Sequence, residues 1–179
     1  KERGQDRIYG HHEGVKSVRE IVNACGEIGV DYLTLYAFST ENWNRPKIEV
    51  DALMELLVNT LRKEIDELNK NNVKMHVIGD IDSLPSVCQK ELSEAKEITI
   101  NNTGVNLILA LSYSSRWEIV NATKMIAKEV AQTKINPDEI DETLFRKYLN
   151  TSNFPDPELM IRTSGETRIS NYLLFQIAY

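Results

Sequence analysis

The chain has 179 residues, of which 41% are hydrophobic and 27% charged. That balance suits one compact domain, or at most one and a half, and excludes a disordered chain, a collagen and a coiled coil. A net charge of −6 argues against a nucleic-acid partner. The longest purely apolar stretch, Leu107 to Leu111, is too short to span a bilayer. No N-terminal segment joins basic residues to an apolar run, so no secretory signal is expected. Two cysteines, Cys25 and Cys88, are too few for a disulfide scaffold and lack metal-site spacing. The expectation is a reduced cytoplasmic domain.

Apolar residues at helical spacing predict a helix over 14–28. Tyr32 to Phe38 reads as a buried strand, followed by the polar loop Ser39 to Pro46. A long helix is predicted over about 48–71, with Val50, Leu53, Met54, Leu57, Leu61, Ile65 and Leu68 on one face. Val73 to Ile78 reads as a strand ending at Gly79-Asp80, and a helix fits 84–98, beginning close to Pro85. Val105 to Leu111 is a third strand and 115–131 a further helix. Asn136, a plausible N-cap, opens a short helix through Leu149. Leu159 to Ile161 reads as a short strand before Arg162, and Ser170 to Tyr179 more as helix than strand.

Strand alternating with helix predicts an α/β fold with a mostly parallel central sheet flanked by helices. Such sheets bind ligands beyond the carboxyl ends of their strands. Attention therefore falls on Ser39 to Arg45, Gly79 to Asp82, Ser112 to Arg116 and Arg162 to Ser170. The polar start of the chain, with Gly4 and Gly10, feeds a helix as though a strand should precede it, and the apolar run ending at Tyr179 is abrupt.

Three segments carry chemistry. Arg7 and His11 stand four apart at the entrance to the first helix, where unpaired N–H groups and two basic side chains suit phosphate; His12 reads as surface. The loop Ser39-Thr40-Glu41-Asn42-Trp43-Asn44-Arg45 concentrates polar groups at a strand end. Trp43 there either covers a ligand or closes a core edge; Arg45 either reaches a phosphate or is simply exposed. Third, Arg162, Ser164, Gly165, Arg168 and Ser170 follow a short strand. Arginine's planar fork matches pyrophosphate oxygens, and glycine lets the backbone approach an anion. Weaker signals are Asp80-Ile81-Asp82, which resembles the metal-binding pair of glycosyltransferases, His76 within a strand, and Glu41 with Glu166 as a carboxylate pair of unfixed separation. Neither a P-loop, nor G-x-G-x-x-G, nor a nucleophile elbow is present. The ligand expected is a diphosphate or two phosphates. The apolar faces beside it either pack as core or line a tunnel.

The blocks Leu33 to Pro46 and Ile161 to Tyr179, with Arg7, Gly10, His11 and Gly14 in order, resemble the cis-prenyltransferases, most closely the bacterial enzymes that make undecaprenyl diphosphate. The resemblance runs over the whole chain and implies a single domain over 1–179 with that family's fold and its apolar tunnel. It implies repeated addition of isopentenyl diphosphate to an allylic diphosphate, usually farnesyl diphosphate. The product would be a long polyprenyl diphosphate, precursor of a cell-wall lipid carrier. Mg²⁺ is the implied cofactor, a homodimer the implied assembly, and membrane contact would be transient, during product release. In family terms Asn42 is catalytic, helping a proton leave, with Ser39 nearby; Thr40, Glu41, Trp43 and Arg45 share its loop. Arg7 and His11 fall where the allylic diphosphate is handled, and Arg162, Arg168 and Ser170 where isopentenyl diphosphate is held. The family's Mg²⁺-binding aspartate and glutamate are expected outside residues 1–179, so no metal ligand is assigned within them. Ser114-Ser115 and Ser164 replace usual glycines, which would matter if those positions needed φ > 0. Two other readings compete: a silent scaffold subunit of the same family, and a metal-dependent glycosyltransferase built on Asp80 and Asp82. The latter leaves the two long blocks unexplained.

Overall fold

The computed structural model describes residues 7–163 and 165–178, with side chains from Gly14 onward. The chain divides into two units, Lys1–Ser112 and Tyr113–Tyr179.

The first unit holds helix α1 (Arg7–Ile28), strand β1 (Tyr32–Ser39), helix α2 (Lys47–Lys70), strand β2 (Lys74–Ile78), helix α3 (Ser86–Ile98) and strand β3 (Asn106–Tyr113), whose last residue opens the second unit. The strand order is β1-β3-β2. β2 and β3 run parallel, with Met75 opposite Leu107 and Val77 opposite Leu109. A helix between successive parallel strands is the connection such a pair requires.

The predicted helices and strands of this unit all form, with edges moved by a few residues. The exception is α1, which begins at Arg7, seven residues ahead of the predicted start at 14. α2 forms because its apolar residues recur at helical spacing, and Val50, Met54, Val58 and Leu61 are buried. Cys88, Leu92 and Ala95 of α3 meet them, with Phe38, Met75 and Leu111 of the sheet, in one core cluster. Val22 of α1 packs with Val73 and Leu107 in a second cluster. Cys88 is buried and its thiol is pushed up by desolvation, as suits a packed, unreactive sulfur.

The second unit holds α4 (Ser115–Ala131), formed as predicted, and α5 (Glu142–Arg146). The single helix predicted from Asn136 to Leu149 is instead a 3₁₀ turn, Pro137–Glu139, and the short α5. Asn136 does cap, its Oδ1 accepting from the Asp138 N–H at 3.1 Å. Asp141 caps again, accepting from Leu144 N–H at 2.7 Å, so the chain restarts rather than continues.

Two predicted elements are absent. Leu159 to Ile161 form no strand. Leu159 and Ile161 are 75% and 77% exposed, and no strand among the described residues pairs with their backbone. The segment predicted as helix from Ser170 is a series of turns. Ser170, Asn171 and Leu173 have φ of 56°, 58° and 46°, a left-handed conformation that a right-handed helix cannot contain.

Candidate functional site

In the first unit the site is built at the carboxyl end of β1. Thr40–Asn44 form a 3₁₀ turn. The Ser39 N–H donates to Asn42 Oδ1 at 3.0 Å, which fixes the orientation of the Asn42 amide and leaves that oxygen a second lone pair. Thr40 donates to Glu41 at 3.3 Å. Trp43 packs edge-on to Phe38, with ring centroids 5.0 Å apart, and its indole N–H donates to Ser112 Oγ at 2.9 Å. Trp43 packs, partly buried, against the edge of the core cluster. Arg45 pairs with Glu49 in the first turn of α2, at 2.7 Å, so its guanidinium is held beside the turn. Tyr36 precedes this turn on β1; burial pushes its phenol up to about 12, against a smaller opposing effect of a hydrogen bond with Ser39.

Behind the turn lies an apolar cavity of about 390 Å³. Ala37 and Phe38 line it beside the turn, Leu53, Leu57 and Leu61 along α2, and Leu109 and Leu111 from β3. Its lining on α2 continues to Leu68, about 22 Å from Leu53 at the helical rise. The apolar faces left open between core and tunnel therefore do both: Phe38 and Leu111 are buried in the core cluster and also wall the cavity. Val105 lines a separate, more polar pocket.

In the second unit, Arg162 Nη1 donates to the Arg168 carbonyl and to Ser170 Oγ, both at 2.7 Å. One guanidinium thus ties together the loop that carries Arg168 and Ser170. Arg168 pairs with Glu166 at 3.3 Å and is largely exposed. Glu166 is therefore engaged by a cation on its own loop. The loop is anchored to the start of α4. Ser115 Oγ accepts from Leu174 N–H at 2.6 Å, Ser115 N–H donates to the Asn171 carbonyl, and Arg116 N–H donates to Asn171 Oδ1. Ser114 is extended, with φ −155°, and Ser115 opens the helix, so neither position needs glycine. Ser164 and the side chains of Arg7, His11 and His12 lie outside the described residues.

Sequence reasoning missed two residues here. Ser112 sits within a strand-end segment singled out above, yet nothing in its identity told that it binds Trp43. Glu118 is fully buried and accepts from Tyr113 Oη at 2.6 Å, Asn150 N–H at 2.8 Å and Gln176 Nε2 at 3.0 Å. Its signal was a carboxylate on the buried stripe Ser115, Glu118, Ala122, Ile126 of α4. Burial, and then the neighbouring Glu118 carboxylate, push the Tyr113 phenol up. Of the weaker candidates, His76 Nε2 meets Asn106 Oδ1 at 2.9 Å, and Asp80 opens a short 3₁₀ turn that contains Asp82. Among the described residues no three His, Cys, Asp or Glu are grouped to hold a metal. No described helix is long and apolar enough to cross a membrane.

The first unit thus offers a polar turn and a largely apolar cavity, and the second an arginine-bearing loop. The family model described as "Prenyltransf: Putative undecaprenyl diphosphate synthase" matches residues 1–179. The isoprenyl transferase of Clostridium tetani is 54% identical over 100% of this chain and 70% of its own length. The ditrans,polycis-undecaprenyl-diphosphate synthase of Micrococcus luteus, farnesyl-diphosphate specific, is 50% identical over 100% of this chain and 72% of its own. Among solved structures, lavandulyl diphosphate synthase from Lavandula x intermedia, in complex with dimethylallyl diphosphate, superposes with a TM-score of 0.94 at 37% identity, over 98% of this chain and 76% of that one. A probable undecaprenyl diphosphate synthase from Campylobacter jejuni gives a TM-score of 0.81 at 35% identity, covering 93% and 77%. The chain belongs to the undecaprenyl diphosphate synthase family of prenyltransferases.

Proposed function

We propose that residues 1–179 belong to one cis-prenyltransferase domain, and that the protein adds isopentenyl diphosphate repeatedly to farnesyl diphosphate, giving a long polyprenyl diphosphate of the undecaprenyl type. The observation that carries this reading is the largely apolar cavity whose lining reaches Ala37 and Phe38, the residues just ahead of the Ser39–Arg45 turn. A diphosphate held by arginines outside, with a hydrocarbon tail inside, satisfies both surfaces at once.

In each cycle the alkene of isopentenyl diphosphate attacks C1 of the allylic substrate. A carbon–carbon bond forms, the C1–O bond breaks, diphosphate departs with the electron pair, and a proton is lost from the newly added unit. Asn42, its amide fixed by the Ser39 N–H, is the group assigned to help that proton leave, with the Ser39 hydroxyl beside it. Thr40, Glu41, Trp43 and Arg45 shape the substrate-facing turn. Arg162, Arg168 and Ser170 hold isopentenyl diphosphate, and Arg7 and His11 the allylic diphosphate. Mg²⁺ is part of the proposal, neutralising charge on the leaving diphosphate. The described residues do not by themselves build a site for it, and no step above is routed through it. The protein is proposed to work in the cytoplasm as a homodimer, meeting the membrane transiently when product is released.

The test is incorporation of labelled isopentenyl diphosphate by the intact gene product with farnesyl diphosphate, Mg²⁺ and detergent, with product length read by reversed-phase chromatography. A long polyprenyl ladder abolished by chelator is expected. Tight binding of isopentenyl diphosphate without product would replace this reading with a silent partner subunit.

A further inference from the structure

Ser112 occupies a position that its own preferences do not explain. It lies at the carboxyl end of β3, 1% exposed, with φ of 47°. The left-handed region costs a serine about 1–2 kcal/mol relative to extended backbone, and glycine would avoid the cost. What glycine would lack is the hydroxyl, and that hydroxyl has two neighbours. It accepts from the Trp43 indole N–H at 2.9 Å and meets Ser83 Oγ at 2.8 Å.

Proton directions in this chain of contacts can be assigned. Ser83 donates its hydroxyl proton to the Asp80 carbonyl at 2.6 Å, so in the Ser83–Ser112 contact Ser112 must be the donor. The order runs from the Trp43 N–H to Ser112 Oγ, from the Ser112 O–H to Ser83 Oγ, and from the Ser83 O–H to the Asp80 carbonyl. The Asp80 N–H then returns to the Ser112 carbonyl at 3.1 Å. Each hydroxyl both gives and receives, an arrangement in which successive bonds strengthen one another. Ser112 thereby joins the carboxyl ends of all three strands: its own, the turn after β2, and the Thr40–Asn44 turn after β1.

We propose that Ser112 is a positioning residue of the condensation site, holding Trp43 and so placing the adjacent Asn42 amide. This rests on the function proposed above. The strain at Ser112 is retained because the conformation aims the hydroxyl at the indole, as backbone strain at functional sites generally serves geometry.

The test uses the intact protein with Trp117 and any tryptophan outside residues 1–179 replaced by Phe, so that Trp43 alone fluoresces. Ser112→Gly relieves the φ strain while removing the hydroxyl. The expected result is a thermal midpoint at or near the parent's, acrylamide quenching of Trp43 raised severalfold, kcat lowered about tenfold and both KM values nearly unchanged. Trp43→Phe leaves Ser112 intact but removes the indole N–H, and the double variant is expected to be no slower than the slower single, the non-additivity of two groups acting through one bond. Parent-level quenching and kcat in Ser112→Gly would overturn the inference, as would strictly additive losses in the double variant. Absence of polyprenyl product from the parent would sink the proposed function, while the quenching comparison would still decide whether Ser112 holds Trp43.

Discussion

Replacing Glu118 tests how the second unit holds its arginine loop. The carboxylate has no exposure and accepts three hydrogen bonds, from Tyr113, Asn150 and Gln176. In Glu118→Ala all three donors lose this buried carboxylate, while the Gln176 amide keeps Thr151 Oγ1 at 2.8 Å. At about 1.5–3 kcal/mol for each hydrogen bond to a charged group, the destabilisation is about 5 kcal/mol. In Glu118→Gln one oxygen remains. If it faces Tyr113 and Gln176, the new amide NH₂ points at the Asn150 N–H, donor against donor, and the cost is about 2 kcal/mol after allowing for the charge no longer being buried. Urea denaturation of both variants against the parent, followed by circular dichroism, measures the difference. Because Gln176 and Leu174 are tied to the first turn of α4 just past Ser170, Glu118→Gln should also raise the KM for isopentenyl diphosphate several-fold. An alanine variant within about 1 kcal/mol of the parent would refute the reasoning, since three hydrogen bonds to a buried carboxylate cannot be lost that cheaply.

Other outcomes follow from the same geometry. Asn42→Ala should lower turnover with little change in either KM, and steady-state kinetics showing unchanged turnover would remove Asn42 from proton transfer. Arg168→Ala should weaken isopentenyl diphosphate more than the allylic substrate, as read by titration with each; equal losses would undo that assignment. Ala37→Leu adds bulk where the cavity adjoins the turn, so chromatography should show shorter products, and an unaltered ladder would place the growing chain elsewhere. Tyr36 is raised in the fold from 10.0 to about 12. The neutral phenol is therefore favoured by the folded state, and the stability it contributes is present below pH 10 and lost as pH climbs towards 12. Spectrophotometric titration should show one late-ionising tyrosine at this site, missing in Tyr36→Phe.

The family and the α/β alternation were legible in the sequence because each is a local signal. The stripe from Val50 to Leu68 writes a helix whatever surrounds it. The polar turn from Ser39 to Arg45 stands out against the apolar strand before it. Leu159 to Ile161 shows the limit: its composition suits a strand, but a strand exists only when another backbone pairs with it. Ser170 to Tyr179 likewise carries apolar residues that fit a helix, and three left-handed residues turn it instead.

Sequence by itself determined which residue types gather at the strand ends, and hence the expectation of a diphosphate with a hydrocarbon tail. Tertiary structure alone decided that Trp43 packs against the edge of the core cluster, that Ser112 takes a left-handed conformation beneath it, and that Glu118 is sealed among three donors. Those outcomes depend on partners as many as 69 residues away in the chain. A side chain's hydrogen-bond capacity is written in its own chemistry, but which groups desolvate it is set by long-range packing, and no local pattern records that.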